Sequence, residues 1–137
     1  MLGCLEWPEL PSLQGHSDGD SVAHAIVDAL LSAAGLGDIG SNFGIDRNEY
    51  AGASGERFIK ETLALISQSG FTPVNVAVQI IAEKPKVTPR RPELEHHLSE
   101  LVGAPVSVLA TTTDGLGFLA DSRGIAAVAT ALIRTQS

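Results

Sequence analysis

The chain has 137 residues, which fits one domain, and its hydrophobic share of 44% is enough for a buried core. The formal net charge of −7 argues against nucleic acid and anionic membranes as partners, because an acidic surface repels both. A single cysteine excludes an internal disulfide, which suits a reducing cytoplasm. An acidic protein that binds a phosphorylated ligand has to concentrate its few cations or recruit a metal ion.

The first half of the chain predicts two helices separated by a loop. Residues 20–36 are apolar nearly all round and predict a buried helix. Its polar exceptions are three or four residues apart and therefore form one stripe: Ser21, His24, Asp28 and Ser32. Residues 37–54 are rich in Gly and Asp and predict a loop, and residues 55–69 predict an amphipathic helix.

The second half predicts strands alternating with a helix. In chain order the pattern indicates a strand, a loop, a helix and a second strand over residues 74–82, 83–92, 93–102 and 105–113. Residues 125–134 are rich in Ala and Val, a composition that suits either a strand or a buried helix. Helices that alternate with strands indicate a layered α/β or α+β domain.

The densest polar cluster is the run Gly-His-Ser-Asp-Gly-Asp at residues 15–20. Turn and helix-cap preferences explain its Gly, Ser and Asp residues but not His16. His24 and Asp28 follow, four residues apart on the apolar helix, as a metal ligand and the carboxylate that orients it would be. A core histidine that hydrogen-bonds Asp28 is an equally good interpretation, so both stay open.

Three later segments also carry candidate residues. Asp38 and Gly40 follow the first helix and suit either its end or contacts to substrate hydroxyls. Lys86 follows a proline after the first strand and is a candidate phosphate contact, whereas Arg90 and Arg91 are interpreted as solvated loop residues.

The run Thr-Thr-Thr-Asp at residues 111–114 ends the second strand. Threonine is a good strand former, so strand formation alone can explain it. Hydroxyls beside a carboxylate at a strand end can also hold phosphate oxygens and a divalent cation. The sequence has no P-loop, dinucleotide-binding glycine motif, Cys-x-x-Cys pair or nucleophile elbow.

These motifs resemble the 2-C-methyl-D-erythritol 2,4-cyclodiphosphate synthase family. Four blocks occur in that family's order, within residues 15–40, 75–86, 110–113 and 116–118. The resemblance implies an α+β fold over residues 1–137: a single layered domain whose sheet packs on helices and faces a trimer axis. It also favours a strand over residues 125–134.

The resemblance implies a phosphorus–oxygen lyase of non-mevalonate isoprenoid precursor synthesis. In this family 4-diphosphocytidyl-2-C-methyl-D-erythritol 2-phosphate becomes 2-C-methyl-D-erythritol 2,4-cyclodiphosphate, and CMP is released. The 2-phosphate attacks the β-phosphate of the same molecule, so no protein nucleophile is needed. The implied enzyme is a cytoplasmic homotrimer.

The family's functional positions can be transferred to matching residues of this chain. His16 and Thr112 are implied as catalytic residues. A zinc-type ion is implied at His24, with Asp28 orienting that ligand, and a magnesium or manganese ion at Asp114. The implied substrate-binding residues are Ser17, Asp38, Gly40, Phe43, Ala82, Pro85, Lys86, Val87, Thr88 and Thr111.

The family's N-terminal strand begins with Asp-Val-His, which supplies the other zinc ligands, and these 137 residues contain no counterpart. We therefore expect the 137 residues by themselves to bind the metal weakly. An alternative hypothesis from another class is a non-catalytic trimeric homologue that binds cytidine nucleotides and has lost its zinc site.

Overall fold

The computed structural model describes residues 1–8, 20–43, 54–115, 117 and 124–136. Within these ranges the chain forms, in order, α1 (Ser21–Ala33), α2 (Ile39–Phe43), α3 (Gly55–Gln68), β1 (Phe71–Ala82), a 3₁₀ turn (Thr88–Arg90), α4 (Arg91–Val102), β2 (Val106–Thr111) and β3 (Ile125–Thr135). A small sheet packed against helices confirms the predicted α+β class. The strand predicted over residues 125–134 is also confirmed.

The sheet has the order β2-β1-β3, with β1 parallel to β2 and antiparallel to β3. Ile81 is paired with Thr111, and Ala82 with Ile125. Because β1 and β2 are parallel, their carboxyl ends lie at the same edge of the sheet. The chain segments that follow Ala82 and Thr111 therefore begin side by side.

One face of the sheet is buried under α1, α3 and α4. Successive strand residues point to opposite faces, so the buried positions alternate: Val76, Val78, Ile80, Val106 and Val108. We call the opposite face the solvent face. It carries Leu109, Val128 and Leu132, which are 57%, 55% and 56% exposed. A sheet with one packed and one open face is usual for antiparallel pairing, but three large apolar side chains on the open face are not.

Helix α1 begins at a buried aspartate that also holds the N-terminal segment, residues 2–7. Asp20 caps the helix by accepting from Ala23 N at 3.0 Å. The same carboxylate accepts from Gly3 N at 2.8 Å and from Cys4 N at 2.7 Å. Gly3 has a φ of +61° and lies against Leu94 of α4, so this turn depends on the absence of a side chain.

Two segments predicted as loop contain helix. Within residues 37–54, Ile39–Phe43 form the short helix α2, because Asp38 Oδ1 accepts from Ser41 N at 2.8 Å and caps it. Helix α4 begins at Arg91 rather than at residue 93, because a proline is tolerated in a first helical turn. Strand β1 begins three residues earlier than predicted, at Phe71.

Candidate functional site

A cavity of about 360 Å³ opens at the carboxyl ends of β1 and β2. We call it the strand-end pocket, and its lining residues are Ala82, Pro85, Lys86, Val87, Thr88, Pro89, Ala110, Thr111 and Thr112. The parallel pairing of the two strands explains the position, since it brings the two departing segments together. The predicted substrate-binding residues that share this one cavity are Ala82, Pro85, Lys86, Val87, Thr88 and Thr111, and the predicted catalytic residue Thr112 lies with them.

The lining is mostly apolar and carries a small number of polar groups. Among the described residues that line the pocket, Lys86 is the only charged side chain, and it is exposed. Three threonine hydroxyls, those of Thr88, Thr111 and Thr112, supply neutral donors and acceptors. A ligand that joins a flat, largely apolar ring to phosphate groups matches this distribution.

The turn after β2 orients one of these hydroxyls. Asp114 N donates to Thr112 Oγ1 at 3.2 Å, in a turn where Asp114 has a φ of +55°. Because that oxygen accepts the amide, its own hydrogen can donate to an incoming phosphate oxygen. Thr111 Oγ1 donates to Thr112 O at 3.3 Å. The carboxylate of Asp114 is exposed beside the pocket's Thr112.

A second set of predicted residues lies on α1, on α2 and just before α2. We call it the α1–α2 group, and its members are His24, Asp28, Asp38, Gly40 and Phe43. The His24 ring meets the Phe58 ring edge-on, with centroids 6.0 Å apart, and the Phe43 ring also packs on Phe58, with centroids 5.3 Å apart. Phe43 is only 4% exposed, so its side chain belongs to the core. A substrate contact at that position would use the backbone.

Asp28 and Asp38 are both engaged with backbone amides of α2. Asp28 Oδ1 accepts from Ile39 N at 2.7 Å, so its observed partner is the start of α2. The Ser41 amide and hydroxyl beside Asp38 hold the pKa of that carboxyl below its ordinary value of 3.8. Asp38 is therefore charged at neutral pH and lies next to Gly40, where it can accept hydroxyl hydrogens.

The described residues do not by themselves assemble a metal site. In the parts of the chain that the structure describes, no three His, Cys, Asp or Glu side chains lie close enough to share an ion. His24 and Asp114 belong to different groups, and His16 and Ser17 lie outside the described residues. The assignment of an ion to His24 or Asp114 stays a prediction, and no chemical step below is routed through one.

The structure adds three residues that the sequence did not indicate. Pro89 and Ala110 line the pocket beside predicted neighbours, and the small side chain of Ala110 leaves room there. Arg90, interpreted as a solvated loop residue, instead lies over Trp7 and bonds Glu6 and Glu93. The sequence signal for Arg90 was weak because only one partner, Glu93, is local, at 3 residues, whereas Glu6 lies 84 residues away.

The helices of the described ranges are too short or too polar to cross a bilayer, since none combines sufficient length with sufficient hydropathy.

Three comparisons show what this chain is similar to. A model of the YgbB family matches residues 1–134. The 2-C-methyl-D-erythritol 2,4-cyclodiphosphate synthase of Acidothermus cellulolyticus is 52% identical over 132 residues, which are 96% of this chain and 82% of that protein. A solved structure of a synthase of the same name, in a CDP-bound form, has a TM-score of 0.85 and 34% identity, and the match covers 98% of this chain and 89% of that one.

Some relatives are much longer. The bifunctional enzyme IspD/IspF of Clavibacter michiganensis is 58% identical over 132 residues, or 96% of this chain. The chain spans only about a third of that relative, since the match covers 32% of it.

Proposed function

Because the chain belongs to the YgbB family and its relatives of comparable length are 2-C-methyl-D-erythritol 2,4-cyclodiphosphate synthases, we propose that it catalyses the cyclisation those names describe. The proposed substrate is 4-diphosphocytidyl-2-C-methyl-D-erythritol 2-phosphate. The proposed products are 2-C-methyl-D-erythritol 2,4-cyclodiphosphate and CMP, in isoprenoid precursor synthesis.

The observation that carries this proposal is the strand-end pocket. Its mostly apolar lining and its exposed lysine match a pyrimidine nucleotide, and a structurally similar synthase was solved with CDP bound. We propose that the cytosine ring lies among the main-chain groups and small side chains of residues 82–89. Lys86 then contacts the diphosphate as a point charge.

The proposed reaction is an intramolecular phosphoryl transfer. An oxygen of the 2-phosphate attacks the β-phosphorus, forming one P–O bond. The bond from that phosphorus to the oxygen it shares with the α-phosphate breaks, and CMP leaves with that oxygen. The protein's contribution is orientation and charge neutralisation. The Thr111 and Thr112 side chains line the pocket, where their hydroxyls can donate to phosphate oxygens, and Asp38 can hold a hydroxyl of the methylerythritol unit.

The metal assignment is a separate proposal. A divalent ion would supply further charge neutralisation at the phosphates, and His24 and Asp114 are the candidate ligands, for a zinc-type ion and for magnesium or manganese respectively. In the longest natural form of the protein, we expect His24→Ala to lose the zinc that the unaltered protein retains after gel filtration. Asp28→Ala should lower zinc affinity by about 10–100-fold, as removal of an orienting carboxylate does. Metal analysis showing full zinc in His24→Ala would overturn the assignment.

We also propose a homotrimer, a single domain over residues 1–137, and a cytoplasmic location. The apolar solvent face supports the first, because those side chains would be buried in an assembly. Cys4 is buried, and the sequence contains no second cysteine with which it could form an internal disulfide, which is compatible with a reducing compartment.

The decisive experiment measures CMP release from the 2-phosphate substrate by the longest natural form of the protein. Lys86→Ala should lower kcat/KM by at least about 10-fold, since it removes a charge-assisted contact. Lys84→Ala is the matched control, because Lys84 is exposed and does not line the pocket. CDP binding without any CMP release would support the non-catalytic homologue instead, and equal losses in both variants would contradict the role of Lys86.

A further inference from the structure

Arg90 is the last residue of the 3₁₀ turn Thr88–Arg90, which lines the strand-end pocket, and its side chain leaves that turn toward the N-terminal segment. Its guanidinium forms a two-point contact with Glu93, through Nε at 3.0 Å and Nη2 at 2.9 Å. Nη1 donates to Glu6 O at 2.7 Å, and the guanidinium carbon lies 4.3 Å from the centre of the Trp7 ring. The planar group is therefore fixed by a carboxylate, a carbonyl and an aromatic face together.

The N-terminal segment can support this contact because it is itself firmly held. Trp7 is 5% exposed, and its Nε1 donates to Leu2 O at 2.8 Å. Leu2 is in the core, and Leu2 and Leu5 exchange backbone hydrogen bonds of 2.9 and 3.2 Å. The intervening amides of residues 3 and 4 donate to Asp20, as described above. Arg90 thus connects the pocket to an N-terminal segment that is buried and hydrogen-bonded.

Besides the contacts of the Arg90 side chain, local backbone bonds hold the pocket wall at this point. Thr88 and Pro89 are exposed at the pocket. The backbone of the turn is closed by short-range bonds: Arg90 N donates to Val87 O at 2.9 Å, and Arg91 N donates to Thr88 O. A wall that moves in the free protein has to be ordered when a ligand binds, and that ordering reduces affinity. A side chain that orders the wall beforehand therefore increases affinity without touching the ligand.

We propose that Arg90 is a positioning residue of the strand-end pocket: it fixes the Thr88–Arg90 wall on the N-terminal segment and thereby increases affinity for a cytidine nucleotide. The ligand class rests on the proposed function, whereas the role of Arg90 rests on its own contacts. Arg90 does not line the pocket, so its effect on binding is transmitted by the turn.

The test is calorimetry with CDP on Arg90→Ala, Arg90→Lys and Arg91→Ala, at a temperature where each variant is fully folded. Arg91 is the matched control, because it is the adjacent arginine, is exposed and does not line the pocket. We expect Arg90→Ala to raise the CDP dissociation constant about 3–10-fold, the range for ordering one additional side chain. Arg90→Lys should recover part of the loss, since lysine keeps the charge but not the two-point contact. Arg91→Ala should bind CDP as the unaltered protein does.

Several outcomes would overturn the proposal. A lower melting temperature of Arg90→Ala with an unchanged CDP dissociation constant would show a purely structural role. Equal weakening in Arg91→Ala would show a general charge effect. If Arg90→Ala does not fold, the same comparison is made with Arg90→Lys, and an unchanged constant there contradicts the proposal. If the unaltered protein fails to bind CDP, the proposed function fails first and the ligand class with it.

Discussion

Asp20 performs two tasks with one carboxylate. It caps α1 and accepts two amides of the N-terminal segment, and it is fully buried. Three amide donors on a buried carboxylate explain why an ionisable group is tolerated in the core. The Asp20 carbonyl accepts from His24 N at 3.0 Å, so Asp20 also fixes the backbone of His24, the candidate metal ligand, in the first turn of α1.

We predict that Asp20→Asn is strongly destabilising although it is almost isosteric. The amide loses the charge, and its NH₂ group would face donors rather than acceptors. Hydrogen bonds to a charged group contribute about 1.5–3 kcal/mol each, so a loss of about 3 kcal/mol in the free energy of unfolding is expected. Urea unfolding measures it, with Asp114→Asn as the exposed control. A difference below about 0.5 kcal/mol between the two variants would contradict this account.

At Asp38 the prediction concerns pH. Hydrogen bonds from Ser41 lower the pKa of this carboxyl in the folded protein below 3.8. A carboxyl with a depressed folded pKa contributes its stabilisation above the unfolded pKa, and loses it as the pH falls through the folded pKa. The α2 cap should thus persist at neutral pH and fail only under acid conditions. Carbon-detected NMR titration should give a midpoint below 3.8, and a midpoint above it would contradict the capping geometry.

At the scale of elements, α4 covers the outer edge of β2. Glu95 Oε2 accepts from Val108 N at 2.8 Å, and Ser99 Oγ accepts from Val106 N at 2.9 Å. One turn of helix separates the two acceptors, and one pleat of the strand separates the two donors, so the periods of the two elements match. Backbone donors that would otherwise be open for pairing with another chain are thereby satisfied.

We predict that Glu95→Ala exposes this edge. It leaves a nearly buried amide without its acceptor, which costs about 1–3 kcal/mol. It should also increase aggregation during refolding, which is measured as turbidity. Glu100→Ala is the matched control, because Glu100 lies on the same helix but pairs with the exposed His96. Equal aggregation of the two variants would show that the edge is not the cause.

The elements differ in how far the sequence could predict them. The polar stripe of α1 and the alternation of β1 follow from local periodicity, and both were predicted correctly. The short helix α2 was missed, because it depends on a cap and on Asp28, 11 residues away, rather than on its own five residues. The same reason applies to the site. The motifs predicted most of the residues that line the strand-end pocket, whereas the role of Arg90 depends on a contact with Glu6, 84 residues away.

At the scale of the whole molecule, the apolar solvent face predicts that chains assemble, and the proposed homotrimer predicts that three of them do. Leu109 lies on β2, and Val128 and Leu132 lie on β3. The central strand β1 presents Gln79 between Leu109 and Val128. Light scattering at micromolar concentration should give a mass of about three times 14.2 kDa. Val128→Lys should shift the mass toward one chain, because burial of an unpaired charge is unfavourable. Thr130→Lys, on the same face and strand, tests how far the interface extends. A stable monomer of the unaltered protein would refute the prediction.

The open apolar face also has a consequence for how stability is measured. If those side chains are buried only when chains associate, part of the free energy that stabilises the native state comes from association rather than from folding of a single chain. The unfolding midpoint should then rise with total protein concentration by mass action, and dilution alone should destabilise the native state. A tenfold dilution series in scanning calorimetry would detect this. The same linkage means that a substitution far from the strand-end pocket could lower activity in dilute assays and have no effect in concentrated ones.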